Sequence, residues 1–229
     1  PHANGIRAIF SPNTGITDFV KISQAYASKV RENGGDLMRG AKVNGISQRD
    51  RRLYLETSAG DVSVKRVINC AGLHADIVAR MMGVDMGVRI IPFRGEYFSI
   101  RPERASMVNG LIYPVPNPRL PFLGVHFTKR IDESVEVGPN AVLAFAREGY
   151  KKSSFSLGDT LDALTFAGFW RMSLTHWKTG LREEYRSLVK ASFVRSLQVL
   201  VPEIRIEDIY EPGAGVRAQA VNYKGQLLQ

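Results

Sequence analysis

Val67-Ile68-Asn69-Cys70-Ala71-Gly72-Leu73-His74-Ala75-Asp76 is the stretch on which the fold turns. It opens β-prone and apolar, narrows to small residues, and resumes with residues that suit a helix. A strand that runs out into Ala71-Gly72 and re-enters as a helix lets backbone amides come close to a phosphate. A plain strand-to-helix turn reads the same way, so the flanking sequence has to decide. Upstream, Asp18 is placed to cap a helix whose apolar positions Phe19, Ile22, Tyr26 and Val30 recur at helical spacing, with Gly34-Gly35 as its stop. Between that helix and the turn, 41–46, 53–57 and 62–69 alternate with period two and are joined by turn residues at Gln48-Arg49-Asp50 and Ala59-Gly60-Asp61. These predict a three-stranded meander, followed by a short helix over 74–82.

Downstream, 89–100, 110–115, 121–128 and 135–139 read as strands, the first interrupted by Pro92 and Gly95. The connections are too short for crossover helices, so antiparallel pairing is expected. Helices are expected over 159–178 and 182–201. The second places Tyr185, Leu188, Val189, Phe193, Leu197 and Leu200 on one face and stops at Pro202. Extended chain returns at 213–221. The order predicts an α+β, or mixed α/β, architecture of two regions divided between 83 and 89.

Composition narrows the partners. With 229 residues, 44% of them hydrophobic, the chain is long enough for a real core. Its longest uninterrupted apolar run, 141–146, is far short of a membrane span. Cys70 is the one cysteine, which excludes an intramolecular disulfide and favours a reducing compartment. His2, His74, His126 and His176 are scattered without partners at ligand spacing, so no metal is expected. Lysine and arginine number 31 against 22 acidic residues, a net +9 that suits an anionic ligand, an anionic membrane surface or nucleic acid. The basic residues are spread along the chain without interleaved aromatics, which argues against nucleic acid.

Five longer signals run through the second region. Arg94-Gly95-Glu96-Tyr97-Phe98 is followed by Tyr113-Pro114-Val115-Pro116-Asn117-Pro118 and by Pro121-Phe122-Leu123-Gly124-Val125-His126-Phe127-Thr128. Then come Val137-Gly138-Pro139-Asn140-Ala141-Val142-Leu143-Ala144-Phe145 with Arg147-Glu148-Gly149-Tyr150, and finally Gly215-Val216-Arg217-Ala218-Gln219-Ala220. In order and spacing they closely resemble the L-2-hydroxyglutarate oxidases and dehydrogenases of the D-amino-acid oxidase superfamily, and the resemblance covers essentially the whole chain.

The resemblance implies FAD as cofactor, with Ala71, Gly72, Val43 and Gly95 near it, and a small dicarboxylate as substrate. It implies residues 1–86 as part of an FAD-binding domain, 87–210 as a substrate domain and 211–229 as a strand returning towards the FAD side. The Gly-x-Gly-x-x-Gly turn that opens such proteins does not occur in the chain, so a fragment is expected, holding FAD weakly when alone. Shared superfamily scaffolds also serve amino acids, sarcosine-like amines and glycerol 3-phosphate, and a non-catalytic binding module stays open as well.

Within that frame His126 is the expected base for the substrate hydroxyl, because imidazole takes protons near neutral pH and His126 alternates with apolar Val125 and Phe127. A structural histidine is the alternative. Arg217, among small apolar residues, is expensive to bury without an anion, either a substrate carboxylate or an internal ion-pair partner. Arg94 reads as a second clamp, a flavin neighbour or a structural ion pair, and Tyr113 as a hydrogen-bond donor or a core aromatic. Asn140 and Arg147-Glu148-Gly149-Tyr150 read as loop-holding residues. The electron acceptor is left between oxygen and a quinone. The expected location is cytoplasmic with a possible peripheral contact at an inner membrane, and mitochondrial in a eukaryote.

Overall fold

A computed structural model describes residues 2–116 and 123–228, with Glu211 and Pro212 as backbone only. The expected strand over 121–128 therefore lies partly outside the described residues. The chain divides into two compact units, Thr17–Val88 and a second made of Pro1–Ile16 with Arg89–Gln229. The first sixteen residues thus part from the region expected to hold them: the Asn4 amide donates to the Leu200 carbonyl at 2.7 Å and His2 bonds Glu203 at 2.9 Å. Residues 211–228 likewise belong with 89–210 rather than apart from them.

In the first unit, α1 (Phe19–Glu32) starts where Asp18 Oδ1 accepts from the Val20 and Lys21 amides and ends before Gly34, which takes φ +77°. The strands β1 (Val43–Arg49), β2 (Arg52–Thr57) and β3 (Val62–Val64) form an antiparallel meander, with Ile46 opposite Leu55 and Leu55 opposite Val62. Asp50 and Arg51 both have positive φ, as a tight hairpin turn with the right twist requires. Next comes α2 (Ala75–Met81). The third strand is shorter than expected. Residues 66–70 run on without a ladder among the described residues, and Ile68 is 88% exposed.

The second unit carries the strands β4 (Val88–Ile100), β5 (Leu111–Ile112), β6 (His126–Lys129), β7 (Val135–Gly138) and β8 (Val142–Leu143). The helices α3 (Leu157–Leu164), α4 (Ala167–Leu188) and α5 (Lys190–Gln198) follow, then β9 (Ile209–Asn222) and β10 (Leu227–Leu228). The strands make one sheet in the order β10-β9-β4-β7-β6-β5, with β8 also on β4. Ile100, Phe127, Val135 and Val137 of the sheet bury themselves against Phe193, Val194 and Leu197 of α5, and the Phe98 and Phe193 rings lie 4.9 Å apart. Beneath the first half of α4, Ile91 and Val221 meet Phe169 and Met172.

The helical boundaries differ from expectation. No break falls between 178 and 182: Gly180 sits inside α4, where a lone glycine costs only about 1 kcal/mol. The break falls at Val189, whose ψ of +94° redirects the chain. Tyr185 and Leu188 are therefore exposed, while Phe193 and Leu197, expected on the same face, are buried.

Candidate functional site

The site is built across the second unit's sheet. The β6–β7 register sets His126 opposite Gly138, and the β4–β7 register, Phe98 opposite Val137, sets Tyr97 on the other side of Gly138. On the outer side, Ile112 opposite Phe127 brings Tyr113 beside His126, and the two rings stack with centroids 4.4 Å apart. Residues directly paired across antiparallel strands share a face, so Tyr113, His126, Gly138 and Tyr97 form a row. Phe127, Val137 and Phe98 occupy the other face and pack on α5. Gly138, at φ +134°, lets β7 lie close against β4 at the middle of the row: a Cβ there would stand 2.6 Å from the Glu96 carbonyl oxygen and 3.3 Å from the Tyr97 Cα.

A cavity of about 280 Å³ adjoins the row, lined by Gly95, Tyr97, Leu123, Asn140 and Arg217 among others. Leu123 precedes Gly124, whose carbonyl holds His126, and Pro139 on the same wall follows Gly138. The size suits a small molecule rather than an extended one.

His126 Nδ1 lies 3.0 Å from the Gly124 carbonyl oxygen. A carbonyl only accepts, so Nδ1 carries the hydrogen and the neutral ring keeps its lone pair on Nε2. Burial lowers the His126 pKa below the ordinary histidine value, opposed in part by that hydrogen bond. The ring is thus held as a neutral base. Tyr97 moves the other way: burial raises its pKa, the Arg217 charge lowers it, and Glu136 and Tyr113 raise it. Its phenol stays protonated, a donor between His126 and Arg217.

Of the residues expected to hold substrate, the cavity wall takes Arg217, and Tyr113 joins through its stack on His126. The Arg217 side chain is exposed, so the burial cost on which that expectation rested does not operate here. Arg94 is placed differently. It is buried, its Nη2 lies 3.3 Å from Glu96 Oε1 and its Nη1 donates to the Lys151 carbonyl at 3.3 Å. Of the readings open for it, the ion pair is the one its surroundings match, and it is absent from the cavity wall. Glu96 also accepts from Asn140 Nδ2 and Ser187 Oγ, and Lys152 Nζ lies 3.3 Å away, so the carboxylate is saturated by donors.

Sequence reasoning missed Tyr97, which occurs in a quoted motif but looks like any strand aromatic. Asn140, read there as loop-holding, does hold Glu96, accepting from its amide at 2.8 Å, and also lines the cavity. Arg147 is buried as expected of a loop-holding residue, its Nη2 on Asp162 at 2.7 Å.

The residues expected near FAD divide between the units. Gly95 lines the cavity, where a Cβ would stand 2.7 Å from Pro139 Cβ. Val43 is half-buried at the start of β1, opposite Thr57. Gly72 takes φ +53° with no atom within 4 Å of where a Cβ would stand, and the Ala71 carbonyl accepts from the His74 amide. Open space beside a left-handed glycine at the head of a helical turn fits the close approach of a nucleotide phosphate. The residues present therefore fit the cofactor's nucleotide side, although the glycine-rich turn that usually grips the pyrophosphate does not occur among them.

L-2-hydroxyglutarate dehydrogenases from Indibacter alkaliphilus and Escherichia coli K12 are 46% and 42% identical over the whole chain, and the human mitochondrial L-2-hydroxyglutarate dehydrogenase is 37% identical. The chain spans about half the length of these relatives, between 52% and 57%. Among solved structures, L-α-glycerophosphate oxidase from Mycoplasma pneumoniae superposes with a TM-score of 0.60 at 18% identity, covering 86% of this chain and 44% of its own. Glycerol-3-phosphate dehydrogenase from Bacillus halodurans gives 0.54 at 12% identity, covering 92% of this chain and 36% of its own. At such identities the likeness is one of fold. A family model described as FAD dependent oxidoreductase matches residues 1–224, and the chain belongs to that family.

Proposed function

We propose that the protein containing this chain oxidises L-2-hydroxyglutarate to 2-oxoglutarate. The observation that carries the reading is the tautomer of His126, fixed with Nδ1–H on the Gly124 carbonyl so that Nε2 carries the lone pair, in the same row as Tyr97, which lines the cavity with Arg217. Oxidation of a secondary alcohol removes two electrons with the C2 hydrogen, as hydride, and one proton from the hydroxyl. In this family the two-electron acceptor in the site is bound FAD. His126 Nε2 receives the hydroxyl proton, Tyr97 donates a hydrogen bond beside it, and Arg217 holds a carboxylate through its two-donor fork.

The relatives are named dehydrogenases, which supports an eventual electron acceptor other than oxygen, and a quinone fits. Several eukaryotic relatives are named mitochondrial. Among the described residues no helix is long and apolar enough to cross a membrane. The reading is a cytoplasmic location in a bacterium and a mitochondrial one in a eukaryote, with a peripheral contact at the inner membrane, and the relatives' names support its mitochondrial part.

The test is anaerobic mixing of the full-length holoenzyme with L-2-hydroxyglutarate, D-2-hydroxyglutarate and glycerol 3-phosphate, following flavin absorbance. Rapid bleaching by the L-isomer alone is expected. Bleaching by glycerol 3-phosphate and not by the hydroxy acid would overturn the assignment.

A further inference from the structure

The hydrogen bond from Nδ1 to the Gly124 carbonyl does not by itself fix the His126 ring. The terminal torsion of a histidine is broad, and one neutral hydrogen bond biases a population only about two- to tenfold. Two things have to be set: the plane of the ring, and which edge within that plane meets the carbonyl. The hydrogen bond sets the edge. The plane needs a surface against the face of the ring.

The cross-strand neighbours of His126 differ in what they offer. Gly138, opposite on β7, has no side chain. On the β5 side the Tyr113 ring lies over the imidazole, with centroids 4.4 Å apart and planes 27° from parallel. An aromatic pair so arranged adds about two- to tenfold in population beyond its burial. The next residue reaches the acceptor: a Cβ on Gly124 would stand 3.4 Å from Pro114 Cγ, at van der Waals contact. Tyr113 thus covers the donor ring, and Pro114 sits against the residue that accepts from it. The Tyr-Pro sequence suits this arrangement, because a proline keeps the residue before it extended and Tyr113 continues the β5 register one step past Ile112. Every one of these contacts is made by a ring, and none requires the phenol hydroxyl.

We propose that Tyr113 is a positioning residue for His126, acting through the face of its ring and not through its hydroxyl, with Pro114 seating the Gly124 acceptor. The pair keeps Nδ1–H on the carbonyl and the lone pair of Nε2 in one direction. The assignment rests on the proposed role of His126 as base and adds what aims it.

The experiment uses the full-length holoenzyme with its histidines labelled with nitrogen-15, the His126 signals being those that disappear in His126→Asn. Above neutrality the wild-type ring is expected to carry its hydrogen on Nδ1. Tyr113→Leu fills similar space without a ring face. It is expected to weaken the Nδ1–H preference about two- to tenfold. The limiting rate of anaerobic flavin reduction by L-2-hydroxyglutarate should then fall at least about threefold, since a misaimed acceptor adds to the lost population. Affinity for 2-oxoglutarate should stay as it is. Tyr113→Phe restores the ring face, and with it the tautomer and the rate, to within about twofold of wild type.

A wild-type ring with its hydrogen on Nε2 overturns the proposal, and so does a Phe variant as impaired as the Leu variant. Both of these outcomes can be read even if the Leu variant fails to hold its flavin. Wild-type tautomer and rate in a folded Leu variant overturn the proposal as well. A loss confined to 2-oxoglutarate affinity makes Tyr113 a substrate ligand and overturns it too. If the tautomer shifts in the Leu variant while His126→Asn reduces its flavin at the wild-type rate, the positioning of the ring stands and its role as base falls.

Discussion

The two units of this chain are built to different degrees of closure. Among the described residues of 89–228, twenty hydrophobic side chains are buried, most of them in clusters that join the sheet to α4 and α5. In Thr17–Val88 no residue reaches that class, and Phe19, Val20 and Tyr26 of α1 are 76%, 66% and 71% exposed. Local signals nevertheless shape the first unit completely: Asp18 caps α1, Asp50-Arg51 turn the hairpin and Gly34 ends the helix. Secondary structure can thus be written by neighbours in sequence, whereas a core needs partners that neighbours do not supply. The row proposed to handle the proton lies in the closed unit and the turn proposed to approach the nucleotide in the open one.

Several measurements would break or sharpen that contrast. Cofactor retention should change most. Residues 1–229 expressed alone are expected to leave gel filtration colourless, since Ala71-Gly72 provide a single close approach and no glycine-rich turn accompanies it. Stoichiometric FAD in the eluted protein would show that the open unit grips the nucleotide unaided.

Replacing His126 by Asn in the full-length enzyme keeps a hydrogen bond and removes the proton acceptor. Anaerobic flavin reduction should fall about a hundred- to ten-thousand-fold, with little change in substrate affinity. A rate within about threefold of wild type would move the base elsewhere.

Stability offers the next contrast. Phe193→Ala empties a fully packed site and should destabilise the closed unit by about 3 to 5 kcal/mol, whereas Tyr26→Ala in the isolated chain should change little, within about 0.5 kcal/mol. Amide exchange resolved by unit reads both, and comparable effects would show the two units to be equally closed.

Arg217→Lys in the full-length enzyme keeps the charge and loses the planar fork. Affinity for 2-oxoglutarate should weaken about tenfold or more, and unchanged affinity in both Lys and Ala variants would remove Arg217 from the site.

The smallest effect is that of pH. With its pKa held below the ordinary value of about 6.5, His126 is already neutral at pH 7. The rate of flavin reduction should therefore be level above neutrality and decline only as acid protonates the ring below about pH 6.5. That acid limb should vanish in the Asn variant, and an unaltered limb would assign it to another group.

The strands, the capped helix, the antiparallel second region and the family were legible in the sequence, because each rests on short-range spacing or on a motif. Other features were not. The redirection at Val189 has no glycine or proline to announce it, so the spacing predicts a single amphipathic helix over 182–201 and merges two differently facing surfaces. The place of Arg94 depends on Glu96, Lys151 and the donors gathered around them, contacts that span up to 91 residues. The row from Tyr113 to Tyr97 depends on register across four strands. Registers and distant partners are properties of the assembled sheet, and no window of sequence displays them.

Glu96 sets a mechanical condition on the molecule. One carboxylate ties Ser187 near the end of α4, Lys152 of the preceding loop and Asn140 of the cavity wall to β4, between Gly95 and Tyr97. Sliding α4 by one turn would leave a buried charge without part of its hydrogen-bonding shell, at a cost of several kcal/mol. The helix and the wall are therefore keyed like two parts on one pin: whatever load α4 bears on its outer side is borne at the cavity as well, and the two must travel together or not at all.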